Sequence, residues 1–149
     1  MLRKIEEKDR QLFLQYMHEF YNSSAVTGKI DPKNYETTFN FIVKGDMYVD
    51  GYMIEFDGQT IGYLLLSKTY SNEEGGYVTW VEEVYINDKY QGKGYGEITM
   101  KDIYQQFKDE TKVFRLEVSP ENKAIIDFYK RHGYEERVYL QMYHPNEEN

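Results

Sequence analysis

The chain has no cysteine, only three prolines, one tryptophan and three histidines among its 149 residues. Without cysteine there is no disulfide, no thiolate zinc ribbon and no thiol nucleophile to carry an acyl group. The histidines, His18, His132 and His144, are spaced too irregularly to suggest a shared metal site, so no metal is expected. No apolar run approaches the roughly 20 residues needed to span a bilayer. The opening Met1-Leu2-Arg3-Lys4-Ile5-Glu6-Glu7 lacks the apolar stretch of a signal peptide. A cytoplasmic location, away from membranes, is expected.

What is abundant is acid and tyrosine. The 26 acidic residues outnumber 18 basic ones, for a formal charge of −8. Such a surface repels nucleic acid and anionic membranes and attracts cations, for instance a polyamine, an aminoglycoside or a lysine-bearing substrate. Acidity also serves solubility alone, so it names no ligand. The 16 tyrosines could line an amine pocket, but such residues more often sit at the boundary between core and solvent. The length suits a single domain over residues 1–149 with a substantial core.

Periodicity divides the chain into short elements. Met1 to Glu6 reads as a strand, and Asp9 as the cap of a helix from Arg10 to about Asn22, with apolar residues at three-and-four spacing. Asp31-Pro32 is a helix start, and Gly45 follows the expected end at Lys44. Tyr48–Phe56 and Gln59–Tyr70 flank Asp57-Gly58, a two-residue hairpin turn. Tyr77 to Asn87 is the next strand, followed by a helix reaching Phe107. Thr111 to Val118 is a strand, Glu121 to His132 a helix ending at Gly133, and Tyr134 to Tyr143 a final strand. The order β-α-α-β-β-β-α-β-α-β predicts an α/β fold built on a mixed sheet.

Between the third long strand and its helix lies Tyr90-Gln91-Gly92-Lys93-Gly94-Tyr95-Gly96. Three glycines in five residues, placed at a helix N-terminus, expose consecutive backbone N–H groups to an anion. Lys93 adds a point charge suited to phosphate. The segment fits neither the dinucleotide fingerprint, because Glu97 stands where a third glycine belongs, nor a P-loop, whose string occurs nowhere in the chain. It does fit Q/R-x-x-G-x-G/A over Gln91 to Gly96. In that form it resembles the acetyl-CoA pyrophosphate loop of the GCN5-related N-acetyltransferases (GNAT family). A second segment, Leu116 to Tyr134, resembles another acetyl-CoA element of the same family through Asn122, Ala124, Ile125, Phe128-Tyr129 and Gly133-Tyr134. The two motifs stand in the family's order, separated by one helix and one strand.

The resemblance implies an N-acetyltransferase with acetyl-CoA as co-substrate. The pantetheine arm would enter a notch between Glu82–Ile86 and Leu116–Ser119. The backbone near Val84, Tyr85 and Ile86 would hold its amides, and Gln91, Gly92, Lys93, Gly94, Tyr95 and Gly96 its pyrophosphate. Asn122 would reach the arm or, alternatively, cap its own helix. Tyr129 would serve as general acid beside the sulfur, or be one more core aromatic. Trp80-Val81-Glu82-Glu83-Val84-Tyr85-Ile86 resembles the acidic strand of the diamine and thialysine acetyltransferase branch. That implies Glu82 as a base acting through water and Glu83 as a ligand of the cationic acceptor. Strand alternation predicts that these two carboxylates point to opposite faces. The expected acceptor is a small cationic amine. A protein lysine or N-terminus, and a CoA-binding module without turnover, are the alternatives. Homodimers are common in the family, and a short C-terminal arm of about ten residues departs from its usual longer one.

Overall fold

The computed structural model describes residues 1–24, 26 and 28–146. The chain divides into two compact units, Met1–Glu117 and Val118–Asn149. In the first, β1 (Leu2–Lys4), β2 (Val49–Phe56), β3 (Gln59–Ser71), β4 (Gly76–Ile86) and β5 (Val113–Leu116) form one sheet in sequence order. Neighbours from β1 to β4 are antiparallel, and β5 runs parallel to β4 after a helical crossover. The helices of this unit are α1 (Arg10–Tyr21), α2 (Lys33–Lys44) and α3 (Tyr95–Phe107). The second unit carries α4 (Lys123–Arg131). This is the mixed α/β architecture that the pattern predicts. No helix among the described residues is long and apolar enough to cross a membrane.

Local signals account for most boundaries. Asp31 accepts a hydrogen bond from the Lys33 N–H at 2.9 Å, and Gly45 ends α2 in the left-handed region at φ 81°. Asp57 and Gly58 both adopt positive φ, 50° and 74°, as the two-residue turn between β2 and β3 requires. Asp9 behaves differently from its expected cap role. It makes no side-chain bond to the start of α1; its carboxylate faces backwards, accepting from the Glu6 N–H at 2.8 Å and from Arg3 at 2.8 and 2.9 Å. An arginine fork on β1 outcompetes the helix start for those oxygens.

The sheet of this unit is covered on two faces. On one, α1 and α2 pack Phe13, Tyr16, Met17, Tyr35, Phe39 and Ile42 onto Met53, Tyr63, Leu65 and Tyr85. Phe13 meets Tyr63 edge-on at 5.2 Å between ring centroids. Each fully buried aromatic of this kind contributes about 1.5–3 kcal/mol through burial. On the other face, α3 brings Phe107 against Tyr52 at 5.2 Å and buries Met100 and Ile103.

The expected last strand does not form. Tyr134 to Tyr143 carries no strand, and Val138, Tyr139, Leu140, Met142 and Tyr143 are largely exposed. Apolar alternation there is real, but a strand also needs a ladder partner. Within the second unit the described residues offer only a helix.

Gly62 on β3 lies opposite Ile86 at the end of β4. A Cβ built on it would stand 1.9 Å from the Tyr85 carbonyl oxygen, a backbone atom with no freedom to yield. Gly62→Ala is therefore expected to cost about 1–3 kcal/mol. Thermal unfolding should show this as a fall in Tm of several degrees, at about 2–4 °C per kcal/mol for a chain of this size; an unchanged Tm would refute the close approach.

Candidate active site

The site grows from one irregularity in β4. Leu65 on β3 pairs with Glu83, but the next residue, Leu66, pairs with Val81, so Glu82 is an extra residue opposite no partner. This β-bulge resets the alternation of side chains. Trp80 keeps the face of Ser67, while Glu83 and Tyr85 keep that of Leu65 and Tyr63. Glu82 accepts a hydrogen bond from the Ser67 hydroxyl, which places it on that same face. The expectation that the two carboxylates point to opposite faces is thus corrected: the bulge directs both to the face covered by α1 and α2.

Their surroundings differ. Glu82 is exposed. Glu83 is 8% exposed and accepts hydrogen bonds from two tyrosine hydroxyls, that of Tyr21 on α1 and that of Tyr63 on β3, the latter at 2.6 Å. Burial pushes the Glu83 carboxyl above its usual range; the two hydroxyls pull back, and Glu82 adds to the rise. Tyr21 also stacks on Tyr35 of α2, with centroids 5.7 Å apart.

A third carboxylate stands two residues before Tyr21 on α1. Glu19 accepts from the Tyr85 hydroxyl at 2.5 Å, from Asn87 at 3.0 Å and from Gln15 at 2.9 Å. Burial raises this group, but the donors outweigh burial and hold it below the ordinary carboxylate range. Neither Glu19 nor the tyrosines at 21 and 63 stand out in the sequence. Glu19 and Tyr21 lie on an ordinary amphipathic helix, and Tyr63 lies inside an apolar run. The one available signal was the tyrosine count.

Past Val81, β4 loses its neighbour on one side. Its pairing with β5 covers Val78–Val81 against Val113–Leu116 and stops there. The stretch from Glu82 to Ile86, which includes Val84 and Tyr85, is thus free of the β5 ladder, leaving an edge for an extended ligand to occupy. Ile86 is partly engaged: its carbonyl accepts from the Gln91 side chain at 2.8 Å, and Gln91 also donates to Asp88 at 3.0 Å. Gln91 therefore works as a tie between the strand end and the loop.

The glycine loop follows directly. Gly92 and Gly94 take φ 71° and 82°, and Gly94 is the N-cap of α3. A Cβ at either would meet nothing within 4 Å, so space is open there, and positive φ is what selects glycine. Tyr95 and Gly96 begin the helix, whose first N–H groups have no intrahelical acceptor. Tyr95 is held by Phe56 at 4.9 Å, and the Lys93 ammonium lies 5.6 Å above the Tyr90 ring. The arrangement suits a phosphate or pyrophosphate group.

In the second unit, Asn122 caps α4 by accepting from the Ile125 N–H at 3.2 Å. The capping alternative is thus seen, and it leaves Nδ2 and the second lone pair of Oδ1 for other contacts. The end of α4 is a Schellman motif. Tyr134 N–H donates to the Tyr129 carbonyl and Gly133 N–H to that of Lys130, each at 3.1 Å, with Gly133 at φ 85°. The accompanying apolar contact is Tyr134 on Tyr129, 5.6 Å between centroids. The cap thereby fixes the Tyr129 ring. Burial raises the Tyr129 phenol above its ordinary value.

Comparison with known proteins places this chain in a family. Residues 14–134 match the acetyltransferase (GNAT) family, and the chain belongs to it. It is 27% identical over 139 residues to an uncharacterized N-acetyltransferase of Methanocaldococcus jannaschii, covering 91% of this chain and 61% of that protein's length. Its fold is shared with a possible acetyltransferase from Clostridium difficile 630, at TM-score 0.85 and 14% identity over 98% and 97% of the two chains. It is also shared with an aminoglycoside N-acetyltransferase in complex with CoA, at TM-score 0.73 and 14% identity over 97% and 93%.

Because Gly94 is left-handed at the helix start, Gly94→Val strains the loop by about 1–2 kcal/mol and adds bulk where amides converge. The side chain would stand where the pyrophosphate must approach the backbone, so calorimetric titration with acetyl-CoA should show affinity falling about tenfold or more, about 1.4 kcal/mol of binding free energy. Undiminished affinity would remove the loop from the site.

Proposed function

We propose that this protein is an acetyl-CoA-dependent N-acetyltransferase acting on a primary amine, with a small cationic amine as acceptor. The observation that carries the reading is the joint geometry of β4. The strand leaves β5 at Val81, turns Glu82 and Glu83 to the same face, Glu83 buried and Glu82 exposed, and runs into a glycine loop at the N-terminus of α3. The likeness to an aminoglycoside N-acetyltransferase and the acidity around the bulge support a cationic acceptor. The diamine and thialysine branch is the part of the family whose acidic strand this one resembles.

Acetyl-CoA supplies an activated acyl thioester when bound. The loop from Gln91 to Gly96 holds the pyrophosphate through backbone N–H groups and Lys93. The free edge of β4 near Val84, Tyr85 and Ile86 takes the amides of the arm, and an N–H there polarises the thioester carbonyl. Asn122 contributes Nδ2 to the arm.

An alkylammonium has a reference pKa of about 10.4, so the acceptor arrives charged and must lose a proton. Glu83 receives the ammonium, and exposed Glu82 passes its proton through water to solvent. The neutral nitrogen attacks the carbonyl carbon, the carbon–sulfur bond breaks, and Tyr129 gives its proton to the departing thiolate; the proton that the nitrogen sheds as the amide forms returns through water to the Tyr129 oxygen. A phenol raised by burial stays protonated at neutral pH, the state that this step requires. The chain has no cysteine to form an acyl-enzyme, so attack within a ternary complex is the route.

The direct test is thiol release from acetyl-CoA with polyamines, aminoglycosides, lysine analogues and basic peptides as acceptors; no protein thiol contributes background. Release with a small amine is expected, and release with peptides alone would move the assignment to a protein acceptor. Tyr129→Phe should lower kcat by about ten- to a thousand-fold, the range of general-acid effects, with acetyl-CoA affinity nearly unchanged. Full turnover in that variant would strike Tyr129 from the mechanism.

A further inference from the structure

The Glu83 carboxylate is held at the meeting of three elements. Its Oε1 accepts from the Tyr21 hydroxyl on α1, its Oε2 from the Tyr63 hydroxyl on β3, and its own backbone sits beside the bulge on β4. Both donors are themselves fixed. Tyr63 is fully buried, edge-on to Phe13 at 5.2 Å, and Tyr21 is pinned between Phe20 at 5.1 Å and Tyr35 at 5.7 Å. These ring contacts hold each phenol oxygen beside the carboxylate.

We propose that Tyr21 and Tyr63 are positioning residues that clamp Glu83 in the orientation and ionised state in which it receives the acceptor ammonium. The inference deepens the acetyltransferase reading and rests on it. Two hydroxyl donors favour the carboxylate over the carboxylic acid, because a protonated carboxyl gives up acceptor capacity on the oxygen that carries the proton. They thereby oppose the burial that favours neutral Glu83. The clamp also leaves each oxygen a second lone pair, so an ammonium can join without displacing either tyrosine. Tyr35 on α2 and Glu82 on β4 are the remaining titratable groups that face this carboxylate. Tyr35 is a neutral phenol at working pH. Glu82 carries negative charge and adds to the attraction for a cation.

Recognition of the amine needs ionised Glu83, so kcat/KM for the amine rises with pH through the Glu83 titration. Removing a hydroxyl that stabilises the ionised form moves this acid limb to higher pH. The experiment compares wild type with Tyr21→Phe and Tyr63→Phe by thiol release, scanning pH at limiting amine, and follows the Glu83 carboxyl by carbon NMR on glutamate-labelled protein. Both variants should move the limb upward and raise KM for the amine about three- to tenfold near neutral pH, more than they change kcat, with KM for acetyl-CoA held. The NMR titration should move in the same direction. Tyr21 is only half-buried, so its variant keeps the test open if loss of the Tyr63 hydroxyl unfolds the protein. An NMR titration that does not move overturns the clamp. A titration that moves while the kinetic limb stays still overturns the role of Glu83 in binding the amine. Wild-type protein that releases no thiol with any amine overturns the acetyltransferase reading itself, and NMR then reports separately whether the hydroxyls hold the carboxylate.

Discussion

One extra residue in β4 sets the geometry on which the rest of the candidate site depends. With regular alternation, Glu82 and Glu83 would occupy opposite faces and Glu83 would lie towards α3. The unpaired Glu82 breaks that parity, so two successive carboxylates share the face under α1 and α2. The same point marks where β4 stops pairing with β5. A bulge strengthens local twist and carries a strand away from its neighbour, so the free edge and the paired acids have one common origin. The loop then inherits its position, because β4 ends only a few residues before Gln91, and Gln91 bonds back to the Ile86 carbonyl.

The tyrosines give this arrangement its chemistry. A core of leucine and phenylalanine could pack α1 against the sheet, but it would take from Glu83 the hydroxyls of Tyr21 and Tyr63 and from Glu19 that of Tyr85. Tyr21, Tyr63 and Tyr85 place ring surface in the core and hydroxyls on carboxylates, with centroid distances of 5.8 Å between Tyr63 and Tyr85 and 6.3 Å from Phe20 to each. Buried charge is tolerated only when it is hydrogen-bonded on several sides. The aromatic layer meets that condition without adding a cation, which would neutralise the acids and repel an ammonium.

How much of this was legible in the sequence follows from which forces are local. Asp57-Gly58, Asp31-Pro32 and Gly133 signal their turns and caps through short-range sterics, and the structure has them where the residues predict. The glycine loop was legible for the same reason. The bulge was not, because an extra residue in a strand is defined only by its partner, and nothing in Trp80 to Ile86 announces that Leu65 and Leu66 will pair around Glu82. Tyr21, Tyr63 and Glu19 were hidden likewise, since their roles arise from contacts across 62, 20 and 66 residues of chain. Asp9 departs from its expected cap role because Arg3, on β1, competes for its oxygens. The Tyr134 to Tyr143 segment has the composition of a strand, but ladder pairing is a property of two segments.

The carboxylates also reveal where stability and the proposed activity diverge. Asp9 is pushed up by burial but held lower overall by Arg3 and the Glu6 N–H, so folding favours its charged form. It contributes stability above its unfolded pKa and loses that contribution as pH falls through the folded value. Glu83 has the opposite sign. Its folded pKa lies above the unfolded one, so its contribution is greatest at low pH and declines as pH rises through the folded value and the buried group ionises. A fold selected only for stability at neutral pH would place an amide or an apolar residue at position 83. Retaining an acid there, and surrounding it with two tyrosine donors that offset the cost of burying its charge, is what a site that must receive a cation requires. The strand defect and the buried charge both cost stability locally, and both lie within two consecutive residues of β4.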